Sequence, residues 1–241
     1  MRKFGLIGRT LSHSFSQKYF TQKFESEGIE ACYDNLEIED LSAFKLDQIQ
    51  DYSGLNVTIP YKEEIISFLS ELSSEAKEIG AVNTLLPTSF GWVGHNTDAY
   101  GFHQSIKPFL TNAHERALIL GNGGASKAII YVLRQLGIDI VTVARTPKEG
   151  EFRLEELNEH MVKACKMIVN CTPVGTHPNV EDSLDLPFEV MTGEHLVVDL
   201  IYNPSKTKFL QQSEHAGATI LNGETMLKEQ ALKAWSIWNN E

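Results

Sequence analysis

Cysteine is scarce in this chain. Cys32, Cys165 and Cys171 are odd in number and lack CxxC spacing, so neither a disulfide framework nor a zinc cluster is suggested and reduced, buried or half-buried thiols are expected. Long apolar runs are missing as well: no uninterrupted stretch approaches the roughly 18 residues needed to span a bilayer. Met1 to Gly8 opens like a leader, but its apolar run is too short and Gly8-Arg9 ends it, so it reads as a first β-strand and the expected address is the cytoplasm. Positive charge is in short supply, with 21 Lys and Arg against 32 Asp and Glu and a net charge of -11. Such a chain lacks the basic face that displaces counterions from nucleic-acid phosphates, and neither nucleic acid nor membrane is an expected partner. Anionic ligands would need local positive potential from single Lys or Arg residues or from helix N-termini. The eight histidines include no HExxH or comparable ligand spacing, so no metal is expected. Internal repeats and low-complexity linkers are absent too.

What is present is ordinary globular composition over 241 residues, enough for one large or two modest domains. The first hundred residues alternate strand-length apolar runs with helical stretches: Lys3 to Gly8, Gln17 to Glu27, Ala31 to Ile38 and Gly54 to Ile59. This alternation predicts an α/β layer with a mainly parallel sheet. Ile65, Ile66, Phe68, Leu69 and Leu72 share helical spacing and predict a helix from Lys62 or Glu63 to Leu72. Ala81 to Leu86 and Gly91 to Asn96 read as two strands around a turn at Pro87 to Gly91.

From Ala117 the pattern is more regular. Ala117 to Leu120 is a predicted strand, Ser126 to Leu136 a helix capped by Gly137, and Ile140 to Arg145 a second strand, completing a βαβ unit. Met167 to Cys171, Leu196 to Ile201 and Ala218 to Leu221 are further short strands. Gly223 to Trp238 is a helix with Leu227, Ala231, Ala234, Trp235 and Trp238 on its apolar side.

The turn inside the βαβ unit is Gly121-Asn122-Gly123-Gly124-Ala125. Glycines let a backbone approach a pyrophosphate, and the following helix N-terminus offers unpaired N–H groups and a positive dipole end. The sixth position of the dinucleotide fingerprint, normally Gly or Ala, is Ser126 here. At the end of the second strand stands Ala144-Arg145-Thr146, with no carboxylate until Glu149. An acid there suits the 2′-hydroxyl of NAD; a guanidinium fork suits the 2′-phosphate of NADP, with Thr146 as a further donor, so NADP is the expected cofactor.

Asn56-Val57-Thr58-Ile59-Pro60-Tyr61-Lys62 places one lysine after a proline turn, behind an apolar run decorated with amide and hydroxyl groups. Taken singly, Lys62 reads as a surface lysine at a helix N-terminus and Asp98 as a turn or cap residue. Together with Ser12-His13-Ser14-Phe15-Ser16, Asn96-Thr97-Asp98, the glycine turn, Asn170-Cys171-Thr172-Pro173-Val174-Gly175, Asp199-Leu200-Ile201-Tyr202-Asn203-Pro204 and the segment from Asn222 to Ala231, the motif resembles the shikimate dehydrogenase family over most of the chain.

That resemblance implies NADPH-dependent reduction of 3-dehydroshikimate to shikimate on the route to chorismate and the aromatic amino acids, with Lys62 and Asp98 as the catalytic pair. Hydride addition to a ketone creates an alkoxide that must collect a proton. A lysine with an ordinary pKa near 10.4 is an awkward acid; burial lowers that value and a carboxylate raises it again, so the pair serves as much to orient the ammonium and stabilise the alkoxide as to tune a proton. The resemblance further implies that Ser14 and Ser16, alternate residues of an extended loop, bind the substrate carboxylate, that Asn56, Thr58, Asn83 and Asp98 meet the ring hydroxyls, and that Tyr202 and Gln230 complete the substrate-binding set. His13 has a loop-stabilising or a catalytic role in the same motif. On the cofactor side stand Gly121, Asn122, Gly123, Gly124, Ala125, Arg145, Thr146, Thr172, Pro173, Leu200 and Gly223, with Thr172 and Pro173 beside the nicotinamide. Thr10, Gln17, Ala144 and Thr176 depart from the family pattern; the first two replace prolines.

The implied architecture is α/β with two domains: residues 1–100 plus 223–241 for substrate, and a Rossmann-like doubly wound NADP-binding domain over 101–222, the C-terminal helix returning to the first. The implied assembly is a monomer or homodimer. A quinate/shikimate dehydrogenase using NAD or both cofactors is the nearest competing reading. A non-catalytic NADP- or shikimate-binding regulatory protein is the competitor of another class.

Overall fold

The apolar run near the N-terminus forms the expected strand, buried continuously from Phe4 to Gly8. In the structure, a computed structural model that describes residues 1–12 and 14–240, β1 (Arg2–Gly8) carries Phe4 and Ile7 wholly buried. His13 lies outside the described residues. The chain divides into two compact units, Met1–Tyr100 with Gln230–Glu241, and Gly101–Glu229.

In the first unit β1 is followed by α1 (Phe15–Glu27), β2 (Ala31–Glu37), β3 (Tyr52–Val57), β4 (Glu71–Leu72), α2 (Ser74–Ile79), β5 (Thr84–Thr88), β6 (Gly91–His95) and the start of α3 (Asp98–Ile106). The sheet order is β2-β1-β3-β5-β6-β4. β1 runs parallel to β2 and β3, but β5 is antiparallel to both β3 and β6. The sheet is therefore mixed and not mainly parallel as the alternation suggested, because the short turn between β5 and β6 makes a hairpin instead of a crossover.

The expected helix from Lys62 or Glu63 to Leu72 is also replaced. A 3-10 turn spans Glu64–Phe68, Leu69 is extended, and Glu71–Leu72 pairs with β6. Strand pairing wins because Ser70 and Ser73 donate their N–H groups to Trp92 and Gly94 (3.0 and 2.9 Å). The apolar residues still point inward: Ile65 is buried, and Ile66, Phe68, Leu69 and Leu72 pack beside it against Leu55, Val82, Leu85 and Trp92.

The C-terminal helix supplies the other core of this unit. From Gln230 onward, α7 (Glu224–Asn239) presents Ala231, Ala234 and Trp238 to Phe4, Phe20, Phe24 and Tyr33. The Trp238 indole N–H donates to the Leu85 carbonyl at 3.1 Å, and a Cβ on Gly54 would meet its ring at 2.3 Å. Gly54 is thus the gap in β3 that admits the tryptophan.

The second unit comprises the rest of α3, β7 (Arg116–Leu120), α4 (Gly124–Gln135), β8 (Asp139–Ala144), β9 (Phe152–Arg153), α5 (Glu159–Ala164), β10 (Met167–Asn170), β11 (Leu196–Asp199), α6 (Lys208–His215), β12 (Thr219–Leu221) and the first part of α7. Its sheet is parallel throughout, in the order β12-β11-β10-β7-β8-β9. The strands read as continuous apolar runs because both faces are covered, as doubly wound sheets require. Strand order reverses at β7, so the crevice outside the carboxyl ends of β7 and β10 is the switch point at which such sheets bind ligands.

Candidate active site

In the first unit Lys62, Asp98, Asn83, Asn56 and Gln230, all expected from sequence, form one hydrogen-bonded chain. Lys62 is fixed from both sides of its backbone: its carbonyl accepts the Val82 N–H at 2.7 Å, and the neighbouring Tyr61 ring is buried with its hydroxyl donating to the Ile38 carbonyl and, at 2.9 Å, to that of Glu39. The ammonium meets the Asp98 carboxylate at 2.6 Å, with side chains only 13% and 7% exposed. Asp98 stands in the first turn of α3, where the helix dipole favours its negative charge. A desolvated pair of this kind is costly to break, because either partner alone is an uncompensated buried charge.

Asn83 links this pair to the rest. Its amide nitrogen faces Asp98 Oδ1 and Thr97 Oγ1, both at 3.0 Å, and Gln230 Oε1 at 3.2 Å. Its carbonyl oxygen accepts the Thr97 N–H at 2.7 Å. The Asn56 amide donates to the Asn83 carbonyl and to Thr84 Oγ1, each at 3.2 Å, and its own oxygen accepts from the Tyr33 hydroxyl at 2.8 Å. Tyr33 in turn is hydrogen-bonded by Ser16; burial pushes the phenol's pKa up and Ser16 pulls it back. Gln230, buried on α7, accepts from Asn83 and sits in the same cluster as Thr97. Thr58 is half-buried, and its hydroxyl makes no hydrogen bond among the described residues.

The serine pair differs from the expected extended loop. α1 begins at Phe15, so Ser14 is its N-cap, accepting the Gln17 N–H at 3.2 Å, and Ser16 lies buried in the first turn. The cap wins because a helix N-terminus leaves donors that a serine oxygen satisfies. Gln17, the departure from proline, has a task here: its Oε1 accepts from Asn35 at 3.0 Å, and its Nε2 donates to the Tyr33 carbonyl at 3.4 Å. Asn35 and Glu37, alternate residues of β2, also hold the backbone of Leu11, at 3.1 Å on its carbonyl and 2.6 Å on its N–H.

The second unit builds its site from backbone. Gly121 follows β7 at φ +103°, and a Cβ there would lie 2.9 Å from the Thr172 methyl. At Gly123, the N-cap of α4, nothing lies within 4 Å of where a Cβ would stand, and no side chain caps the helix. An open cradle at an uncapped helix N-terminus fits a phosphate. Gly124 and Ala125 form the first turn of α4. Ser126, the unusual sixth residue, turns its buried hydroxyl back to the Gly123 carbonyl at 2.6 Å and leaves the cradle open. Asn122 ties the turn to the next loop, donating to the Thr146 carbonyl at 2.9 Å and to Glu151 at 2.7 Å. Arg145 and Thr146 are exposed, and the Arg145 guanidinium has no ion-pair or hydrogen-bond partner among the described residues. The geometry therefore fits a nucleotide cofactor with an extra phosphate.

Thr172 and Pro173 follow β10, and the Thr172 N–H and hydroxyl both donate to Asn170 Oδ1 (2.9 and 2.7 Å). Leu200 follows β11, and a Cβ on Gly223 would meet its carbonyl oxygen at 2.1 Å, so only glycine fits there. Tyr202, 37% exposed, lies on the same loop as Leu200; partial burial raises its pKa. Among the described residues no cluster of His, Cys, Asp or Glu could hold a metal ion, and no helix is long and apolar enough to cross a membrane.

Sequence reasoning did not single out Tyr33, Thr84, Asn170 or Asp199. For Asn170 and Asp199 the signal was present as a polar residue closing an otherwise apolar strand, a position that demands partners.

A mixed-sheet unit with a buried Lys–Asp pair, joined to a parallel-sheet unit with a glycine cradle, defines a two-domain α/β protein of the dinucleotide-binding class. The model of the shikimate dehydrogenase substrate binding domain matches residues 6–85. The shikimate dehydrogenase (NADP(+)) of Caldicellulosiruptor saccharolyticus is 37% identical over 99% of this chain and 92% of its own length. That of Pyrococcus abyssi is 35% identical over the same shares. The crystal structure of shikimate 5-dehydrogenase from Thermus thermophilus in complex with NADP(H) and shikimate superposes with a TM-score of 0.89 at 31% identity, covering 100% of this chain and 94% of that one. The chain belongs to the shikimate dehydrogenase family.

Proposed function

We propose that the protein is an NADP-dependent shikimate dehydrogenase, interconverting 3-dehydroshikimate and shikimate. The observation that carries this reading is the Lys62–Asp98 contact at 2.6 Å within the network of Asn56, Asn83, Thr97 and Gln230. NADPH, when bound, supplies the hydride. Lys62 then gives a proton to the oxygen on which negative charge develops, and Asp98 holds the ammonium in place and keeps it charged until that moment. One ammonium hydrogen faces Asp98; the others remain for the substrate oxygen. Asn83 orients the carboxylate from the other side through Oδ1, so neither partner can rotate away. Ser14 and Ser16 receive the substrate carboxylate, Ser14 with a hydroxyl hydrogen that its capping role leaves unused. Asn56, Thr58, Asn83, Tyr202 and Gln230 bind the ring hydroxyls. A site built of such groups rejects analogues that lack them, because its own polar atoms are then left unpaired.

Residues 1–100 plus 223–241 hold the substrate and residues 101–222 the cofactor. The pyrophosphate sits on the turn Gly121 to Ala125, the 2′-phosphate on Arg145 and Thr146, and the nicotinamide beside Thr172, Pro173, Leu200 and Gly223. Arg145, and no carboxylate before Glu149, follows the end of β8, which favours NADP over NAD.

The test follows nicotinamide absorbance with shikimate or quinate as substrate, and NADP+ or NAD+ as oxidant. Shikimate-dependent reduction of NADP+ is expected. Equal turnover of quinate or NAD+ points to the broader quinate/shikimate enzyme, and silence with every pair removes the catalytic reading.

A further inference from the structure

Asp199 ends β11 with no exposed surface, inside a unit whose buried residues are mainly apolar. Its carboxylate gathers donors from three segments. Oδ1 accepts the Asn170 amide from the end of β10 at 3.0 Å and the Ile201 N–H at 3.1 Å; Oδ2 accepts the Thr207 hydroxyl, N-cap of α6, at 2.5 Å. Asn170, so oriented, turns its oxygen to the N–H and hydroxyl of Thr172. Asp199 is thus joined through one side chain to the loop of Thr172 and Pro173, and through its own backbone to Leu200, against which Gly223 packs.

We propose that Asp199 is a positioning residue that holds the two nicotinamide-side loops at the ends of β10 and β11, and that its ionisation tunes cofactor affinity; this rests on the dehydrogenase reading above. An ionised carboxylate is acceptor-only and can serve three donors, whereas a protonated one must present a hydrogen to one of them. The oxygen facing Thr207 is the one that bears it, since Oδ1 is already held by two N–H donors. Thr207 Oγ1 also caps α6 by accepting the Leu210 N–H at 3.3 Å, so the hydroxyl must then turn its own hydrogen elsewhere in a fully buried site. Burial pushes the Asp199 carboxyl up to about 6, against the downward pull of Thr207, Ile201 and Asn170. The titratable group facing it is the Cys171 thiol, which burial and the carboxylate hold well above its usual range and therefore protonated. The lysines of the following segment are engaged away from it: Lys206 pairs with Glu214, and Lys208 donates to the Glu181 carbonyl.

Steady-state kinetics of wild type, Asp199→Asn, Thr207→Val and Thr207→Ser between pH 5 and 8 test the proposal. Wild type should show a KM for NADP+ that rises as pH falls through about 6. Asp199→Asn, which copies the protonated form, should raise that KM about 10-fold at pH 8 and flatten its pH dependence, with a smaller rise in the KM for shikimate and kcat within about 3-fold. Thr207→Val removes a donor that stabilises the carboxylate and should move the midpoint upward; Thr207→Ser should restore it. If Asp199→Asn does not fold, the direction of the Thr207→Val midpoint decides. A folded Asp199→Asn with wild-type KM and pH profile, or one that loses kcat alone, overturns the positioning role. Wild type that binds no NADP+ in calorimetry overturns the dehydrogenase reading instead.

Discussion

The two units solve the same problem of holding polar groups in opposite ways. In the first, polar side chains are held by one another: Lys62 by Asp98, Asp98 by Asn83, Asn83 by Gln230 and Thr97. In the second, the groups proposed to meet the cofactor are backbone N–H groups of a glycine turn and the exposed Arg145, which has no partner among the described residues, while the side-chain network around Asp199 is buried. A preorganised side-chain network pays its ordering cost on folding, so damage to it appears in the chemical step. An open cradle is completed only by its ligand, so damage there appears in affinity.

The largest effect should follow Lys62→Ala. Loss of a positioned proton donor should cut kcat about 1,000-fold with little change in the KM for shikimate. Near-normal turnover would remove Lys62 from proton transfer and break the contrast between the units. Arg145→Ala should be milder and of the other kind. Losing a charge-assisted phosphate contact worth about 1.5–3 kcal/mol should weaken NADPH roughly 10- to 100-fold and leave NADH almost unaffected. Equal losses for both cofactors would mean that Arg145 meets no 2′-phosphate.

The smallest expected effect concerns stability of the second unit. Thr111 and His114, and again Thr192 and His195, form matching turns just before β7 and β11. In each the imidazole Nδ1 accepts the threonine N–H, at 3.0 and 2.9 Å. Burial lowers both histidine pKa values, and each ring stands near the other. The unfolded chain therefore takes up these protons first as pH falls. Stability from the neutral rings is complete above the ordinary histidine pKa of about 6.5 and is lost below it. The raised pKa of Asp199 works with the opposite sign in an overlapping range, so the informative quantity is a difference. His195→Gln should shrink the fall in Tm between pH 7 and 5 by a few degrees, at about 2–4 °C per kcal/mol for a chain of this size. An unchanged slope would show that the turn does not depend on a neutral ring.

Much of this was legible in the residues. In the second unit β7, α4, β8, β10, β11 and β12 followed from apolar runs and a glycine turn, since a parallel sheet covered on both faces leaves little ambiguity, whereas the short β9, α5 and α6 did not stand out. The segment after Lys62 misled because apolar residues at helical spacing also suit a 3-10 turn followed by a short edge strand. The partner for that strand lies about 20 residues away, in β6, and no local pattern announces it. The serine pair departs from the extended loop expected for it, because Ser14 caps α1 and Ser16 falls in the first helical turn.

The sequence alone determined which chemistry the chain carries: a lysine behind Asn-Val-Thr-Ile-Pro-Tyr, an aspartate after Asn-Thr, a glycine turn after an apolar strand, and arginine instead of an acid at the end of the next strand. Residue type and short spacing suffice there, because those groups act through their own functional atoms and the local backbone that aims them. Tertiary structure decided who holds them. Asn83 meets Gln230 across 147 positions, and Trp238 reaches the Leu85 carbonyl through the gap at Gly54 across 153. Burying a polar group requires a partner, and in a folded chain the nearest partner in space is set by packing of the whole sheet and its helices, not by distance along the sequence.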